Sequence, residues 1–166
     1  VAVQAVSVNP VDVKVRAAHT SEAGQYRVLG YDAAGIVQAV GSEVRHFKVG
    51  DEVYYAGALN RQGSNAQLQA VDARIAAKKP RSLDFAQAAA LPLTAITAWE
   101  TLFDRLDVNK PVAGGANALL LIGGAGGVGS LAIQFLKKLT DMQVIATASR
   151  PESRAWVEKL GADFVI

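Results

Sequence analysis

The sequence predicts an α/β chain: a small barrel-like β domain, then the first half of a doubly wound parallel sheet. Three observations carry that prediction. The first eighty or so residues are rich in short, valine-bearing, period-two stretches separated by turn signals. The run Leu119-Leu120-Leu121-Ile122 then ends in a dense glycine turn, Gly123 to Gly129, that opens into a helical pattern. Beyond it the order is strand, helix, strand, which is the repeat of a parallel sheet with crossover helices.

Taken in order, Val1 to Val8 and Val11 to Arg16 read as strands broken by Asn9-Pro10. Ala33 to Val40 and Glu52 to Ala56 read as further strands, with Gly41-Ser42 and Gly50-Asp51 as turn signals. Ala66 to Val71 and Arg74 to Ala77 add two more before Lys78-Lys79-Pro80. Strands this closely spaced suggest a barrel. At Ser82, a good N-cap, the pattern turns helical over Leu83 to Leu91. Pro92 begins a second helix running to about Leu106, a bridge between two domains. Residues 1–91 are thus expected to form one domain, and residues 92–166 the bridging helix and half of the other. Asn109 to Ala116, glycine-rich and carrying Pro111, form the loop before the next strand.

In the glycine turn, Gly124, Gly126 and Gly129 fit the dinucleotide-binding spacing G-x-G-x-x-G. Gly124 is expected to make the tight turn, Gly126 to admit a pyrophosphate to the backbone, and Gly129 to allow close helix–strand contact. Ala125, Gly127 and Val128 complete the loop whose N–H groups would meet the ligand at the positive end of the helix. Val128, Leu131, Ala132, Phe135, Leu136 and Leu139 mark that helix's expected buried face. Gln143 to Thr147 reads as a second buried strand, Pro151 to Leu160 as a helix with Gly161 just past its end, and Asp163 to Ile166 as a third strand.

The end of the second strand selects the nucleotide. An acidic residue about 20 positions past the glycines would take the ribose hydroxyls of NAD and repel a 2′-phosphate. Ala148 stands there, followed by Ser149 and Arg150. A hydroxyl and a guanidinium fork suit a phosphate monoester, so the prediction is NADPH over NADH. Glu152 is the competing acid, but it falls in the next helix's first turn, where it suits the helix dipole. The alternative for Arg150 is a solvated loop charge.

Composition excludes several classes. The 166 residues are 51% hydrophobic and 19% charged, ordinary for a chain that buries a core. The formal net charge of +2, with no large basic cluster, argues against a nucleic-acid or membrane-surface partner. No signal peptide and no run long enough to span a bilayer is visible, and cysteine is absent, which agrees with a cytoplasmic protein. Without cysteine there is no disulfide, thiolate nucleophile or cysteine metal site.

Six motifs in order now carry a resemblance over nearly the whole chain. They are Val6-Ser7-Val8-Asn9-Pro10-Val11-Asp12, Leu29 to Val37, Val49-Gly50-Asp51-Glu52-Val53, Gly63-Ser64-Asn65-Ala66-Gln67, Ala89 to Ala98, and the Gly123 to Ser130 loop. With these the chain resembles the medium-chain dehydrogenase/reductase superfamily, in its quinone-oxidoreductase-like, zeta-crystallin-like branch, often labelled zinc-type alcohol dehydrogenase-like. The resemblance implies a GroES-like catalytic domain, a Rossmann domain, nicotinamide held between them, and a homodimer. Family members run to roughly twice this length, two complete domains, so the expectation is a fragment of a larger enzyme.

Departures from the family matter equally. Zinc alcohol dehydrogenases place a cysteine where Asn9 stands and a histidine where Tyr31 stands, with a further cysteine near the bridge and a four-cysteine lobe. None of those ligands is present, and His19 and His46, the two histidines, read as surface or turn residues. Asp12 and Asp32 alone are weak metal ligands. The expectation is a zinc-free oxidoreductase that transfers hydride from NADPH to a quinone, enone or similar small carbonyl acceptor. The alternative is a non-catalytic NADPH-binding protein with a structural or regulatory role. By resemblance Tyr31, Asn9 and Thr94 lie near the nicotinamide and acceptor, Tyr31 as a donor to the developing oxyanion, Asn9 and Thr94 to orient the carboxamide or a water. Competing readings are an asparagine turn at Asn9, a half-buried aromatic at Tyr31 and an Asp32 bonded to turn amides.

Overall fold

The computed structural model describes residues 1–18 and 24–166. They divide into two compact units, Val1–Leu93 and Thr94–Ile166. His19 lies outside the described residues, and His46 is exposed on a loop.

In the first unit, β1 (Ala2–Ser7), β2 (Asp32–Ile36), β3 (Glu52–Tyr55) and β4 (Ala76–Lys78) form an antiparallel sheet in that order. β2 is its buried centre. Ala33, with Val37, Val53 and Tyr55, builds a core on one side. Ala34 meets Ala88 and Ala89 of α2 (Phe85–Ala89) in a second cluster. Small side chains let the helix lie close to the strand, and a Cβ at Gly35 would collide with the Ala2 carbonyl of β1.

The alternating valines at Val11, Val13 and Val15 are not a strand. They lie in α1 (Pro10–Ala18). Pro10 occupies the first helical position, and the Asp12 carboxylate accepts from the Asn9 N–H at 2.7 Å while the Asp12 N–H donates to the Asn9 carbonyl. This reciprocal cap outweighs the β preference of valine, which expresses packing more than backbone. Ala66 to Val71 contributes only a bridge from Leu68 to Ala2. Arg74 and Ile75 fall in a 3-10 turn, Ala73–Ile75, capped by the Asp72 side chain, so the strand starts at Ala76. The cap of α2 is Asp84, in a capping box with Gln87, rather than Ser82.

The second unit begins within α3 (Pro92–Trp99), whose first two residues belong to the first unit and which continues as a π-helical turn, Glu100–Arg105. A three-stranded parallel sheet follows in the order β5 (Ala118–Leu121), β6 (Gln143–Ala146), β7 (Phe164–Val165). The crossovers are α4 (Gly127–Leu139) and α5 (Pro151–Leu160), with Gly161 as the C-cap of α5. Ile133, Leu136, Val144, Ala146 and Val157 are fully buried between sheet and helices. The buried stripe of α4 is Gly129, Ala132, Ile133 and Leu136. Val128 and Leu139, expected on that stripe, are exposed. The fold class is therefore α/β, an antiparallel β unit followed by the first three strands and two crossover helices of a parallel sheet.

Candidate functional site

The turn between β5 and α4 is built by glycines with distinct jobs. The left-handed residue is Gly123, at φ +72°, not Gly124. Gly124 instead lies against the sheet, where a Cβ would come 2.8 Å from the Ala146 Cβ and 3.3 Å from Val157 Cγ1. Gly129 lets the helix lie on the turn itself: a Cβ there would sit 2.6 to 2.8 Å from the carbonyl oxygens of Gly123 and Gly124 and the Gly124 Cα. Gly126 is the N-cap, and a Cβ there would meet only the Gly123 carbonyl, at 3.3 Å. Space is open on that side. Gly127 faces Thr94, whose Cγ2 would be 3.0 Å from an added Cβ. No side chain caps α4, and among the described residues the N–H groups of Ala125, Gly127, Val128 and Gly129 have no partner. Four amides at the positive end of a 13-residue helix, under a turn without side chains, suit an anion.

Beside this turn lies an open cleft of about 760 Å³. Gly123, Ala125 and Gly126 form one wall, and Thr147, Ala148, Ser149 and Arg150 another. Among the described residues neither the Ser149 hydroxyl nor the Arg150 guanidinium is engaged, and both residues are exposed. Arg150 is also the N-cap of α5, its backbone tied to the Ser153 hydroxyl in both directions, at 3.2 and 2.9 Å. Glu152 stands in the first turn of α5. A third residue of the wall, Arg154, was not singled out by the sequence. Its guanidinium donates to the carbonyls of Ala148, at 3.2 Å, and Val165, at 2.8 Å. It pins the segment after β6 to β7, so of the two arginines lining the cleft the uncommitted one, among the described residues, is Arg150. Only the register of β7 reveals that difference.

Asn9, Tyr31 and Asp32 come together in the first unit. Asp32 is fully buried: its Oδ2 accepts from Asn9 Nδ2 at 2.8 Å and its Oδ1 from the Leu93 N–H at 2.9 Å. Burial pushes its carboxyl up to about 6, against the opposing hydrogen bonds from Asn9 and Leu93, and the Asp12 carboxylate adds to the rise. Asp32 thus caps the first turn of α3 from a neighbouring strand, more than an aspartate serving a local turn. Tyr31 is buried at 7% exposure, and among the described residues its hydroxyl has no partner. Its surroundings include Asp12, Arg27 and Arg61. Asn9 is committed through its side-chain nitrogen to Asp32. Thr94 lies in the first turn of α3, half-buried, in the second unit.

Residues 1–81 match the alcohol dehydrogenase GroES-like domain family. The whole chain is 48% identical, over 167 aligned residues, to a zinc-type alcohol dehydrogenase-like protein of Staphylococcus aureus, covering 49% of it. It superposes on a Rhizobium etli protein provisionally assigned as a zinc-dependent alcohol dehydrogenase with a TM-score of 0.94 and 61% identity, over 99% of this chain and 48% of that one. The chain belongs to the medium-chain dehydrogenase/reductase superfamily. It spans about half the length of the relatives it matches. Another member of the superfamily, the Escherichia coli quinone oxidoreductase crystallised with NADPH, matches over 99% of this chain and 48% of its own at 32% identity, with a TM-score of 0.81.

The names of two of these dehydrogenase/reductase relatives mention zinc. In this member Asn9 and Tyr31 offer neutral, hard donors; of the two neighbouring carboxylates, Asp32 has both oxygens committed, and Asp12 has its Oδ2 bonded to the Asn9 N–H and only its Oδ1 without a partner among the described residues. Among the described residues no group of three or more His, Cys, Asp or Glu side chains is placed to hold a metal. The residues do not fit a catalytic zinc, which needs three such ligands. Among the described residues no helix is long and apolar enough to cross a membrane.

Proposed function

We propose that this medium-chain dehydrogenase/reductase chain is part of an NADPH-dependent oxidoreductase that reduces a quinone, enone or similar small carbonyl acceptor without zinc. The observation that carries the reading is the set of unpaired amides at Ala125, Gly127, Val128 and Gly129 opening beside an uncommitted Arg150. Residues 124–129 would hold the diphosphate, and Ser149 with Arg150 the 2′-phosphate. NADPH, when bound, supplies the hydride.

The chain's own residues then bind and orient. Residues 1–91 serve as the acceptor domain and residues 92–166 as the nucleotide half, in a protein that assembles as a homodimer in the cytoplasm. Asn9, held by Asp32, has its carbonyl oxygen left to orient the nicotinamide amide or a water, and Thr94 shares that work. The Tyr31 phenol donates to the oxygen on which negative charge develops. A quinone product takes its remaining protons from water.

Support for the branch comes from the quinone oxidoreductase likeness and from the absence of cysteine. The competing function, a nucleotide-binding protein with no turnover, uses the same cleft. The two separate in one assay: NADPH absorbance decay in the full-length protein with a panel of quinones and enones. Decay with at least one acceptor is expected, and tight NADPH binding without decay overturns the enzyme. In the same assay Tyr31→Phe is expected to lower kcat roughly tenfold to a hundredfold while KM for NADPH is unchanged. Full turnover by that variant removes Tyr31 from the chemistry.

A further inference from the structure

We propose that Thr147 is a positioning residue for the dinucleotide, its hydroxyl oxygen clamping the glycine turn in the conformation that presents the free amides; this rests on the nucleotide reading above. Thr147 follows β6 directly and makes three ties, one to the last residue of β5 and two to the turn. Its N–H donates to the Leu121 carbonyl at 2.9 Å, its Oγ1 accepts from the Gly123 N–H at 2.8 Å, and its carbonyl accepts from the Gly124 N–H at 3.1 Å. Any residue supplies the two backbone ties. The third needs a side-chain acceptor, here the threonine hydroxyl oxygen.

The third tie is needed because of Gly123. This residue sits at φ +72° with nothing within 4 Å of where a side chain would be, so no packing confines it. A glycine left free samples both signs of φ. Its carbonyl, however, must stay fixed: it accepts from the Gly126 N–H at 3.0 Å and lies directly beneath Gly129. A rotation of Gly123 would therefore turn Ala125 and Gly126 away from the cleft. β-Branched threonine meets both demands, since it suits the strand end and carries the acceptor.

The test uses the full-length protein and the variants Thr147→Val and Thr147→Ser. In the ligand-free protein, amide hydrogen exchange at Gly123 is expected to speed up roughly fivefold to tenfold in Thr147→Val, the loss of one modest hydrogen bond. NADPH dissociation constants from fluorescence titration should weaken by a similar factor, and Thr147→Ser should restore both to within about twofold. Wild-type affinity or unchanged Gly123 exchange in Thr147→Val overturns the clamp, as does a serine variant as weak as the valine one. A wild-type protein that binds no dinucleotide would sink the nucleotide reading instead, and Gly123 exchange would still decide the clamp.

Discussion

Gly129→Ala should destabilise the nucleotide unit and abolish dinucleotide binding. The added methyl would stand 2.6 to 2.8 Å from three backbone atoms of Gly123 and Gly124, which cannot move aside as a flexible side chain would. Overpacking of this kind costs up to about 3 kcal/mol, whereas replacing a helical glycine by alanine returns roughly 1 kcal/mol. The clash wins, for a net loss of about 2 kcal/mol. The useful contrast is Gly126→Ala, where the new methyl meets only one carbonyl, at 3.3 Å, beside open space. That variant should keep its stability to within about 1 kcal/mol and lose affinity, because its methyl would occupy the place proposed for the diphosphate. Denaturant midpoints of the two full-length variants, measured side by side, check this. Equal midpoints would mean that the helix does not lie against the turn as described.

Asp32 sets the second large effect, a dependence of stability on pH. Its folded carboxyl ionises near 6, well above an unfolded aspartate. Its contribution is present in full below about pH 4 and is lost as pH rises through about 6, because over that range only the unfolded chain gives up the proton. The size is about 3 kcal/mol. Asp72 and Asp163 are held below the usual carboxylate range, Asp72 by its hydrogen bonds from Arg74 and Asp163 by the Val144 N–H and Lys137. Their stabilisation is lost at lower pH and runs the other way, so the quantity to measure is the difference between wild type and Asp32→Asn. Asparagine still accepts from the Leu93 N–H, and the Asn9 amide turns over to face it. The variant should lack the fall between pH 4 and 6 and be at least as stable as wild type at pH 8. Asp32→Leu, which removes the carboxylate that accepts from the Leu93 N–H and the Asn9 nitrogen, should lose roughly 3 kcal/mol. Identical pH profiles for wild type and Asp32→Asn would show that the carboxyl is not perturbed.

The second unit was legible because its signals are local. An apolar run, a glycine turn and a helix period occupy the unbroken stretch Leu119 to Leu139, and the fold keeps them in that order. Within the turn, however, spacing gave the tight turn to Gly124 and singled out no role for Gly123, the residue with the left-handed φ, because a glycine count does not say which glycine has no neighbour to pack on. The α1 segment misled for a related reason. Alternating valines outvoted Asn9-Pro10-Val11-Asp12, although those four residues carry a cap, a first-turn proline and an acid at the third position. Asp32 and Arg154 were beyond reach by any local argument. The partners of Asp32 are 23 and 61 residues away along the chain, and one partner of Arg154 is a carbonyl of β7. What those residues do depends on which strands become neighbours, not on the segment that contains them.

Under the proposed function, backbone amides around Gly126 hold a diphosphate while Arg150 recognises a 2′-phosphate next to it. Calorimetric titration of the full-length protein with NADPH and with NADH, in wild type and Arg150→Ala, tests it most directly. One NADPH per chain is expected, bound at least tenfold tighter than NADH, with the preference lost in Arg150→Ala through weaker NADPH binding alone. No binding of either nucleotide, or an undiminished NADPH preference in the variant, would contradict it.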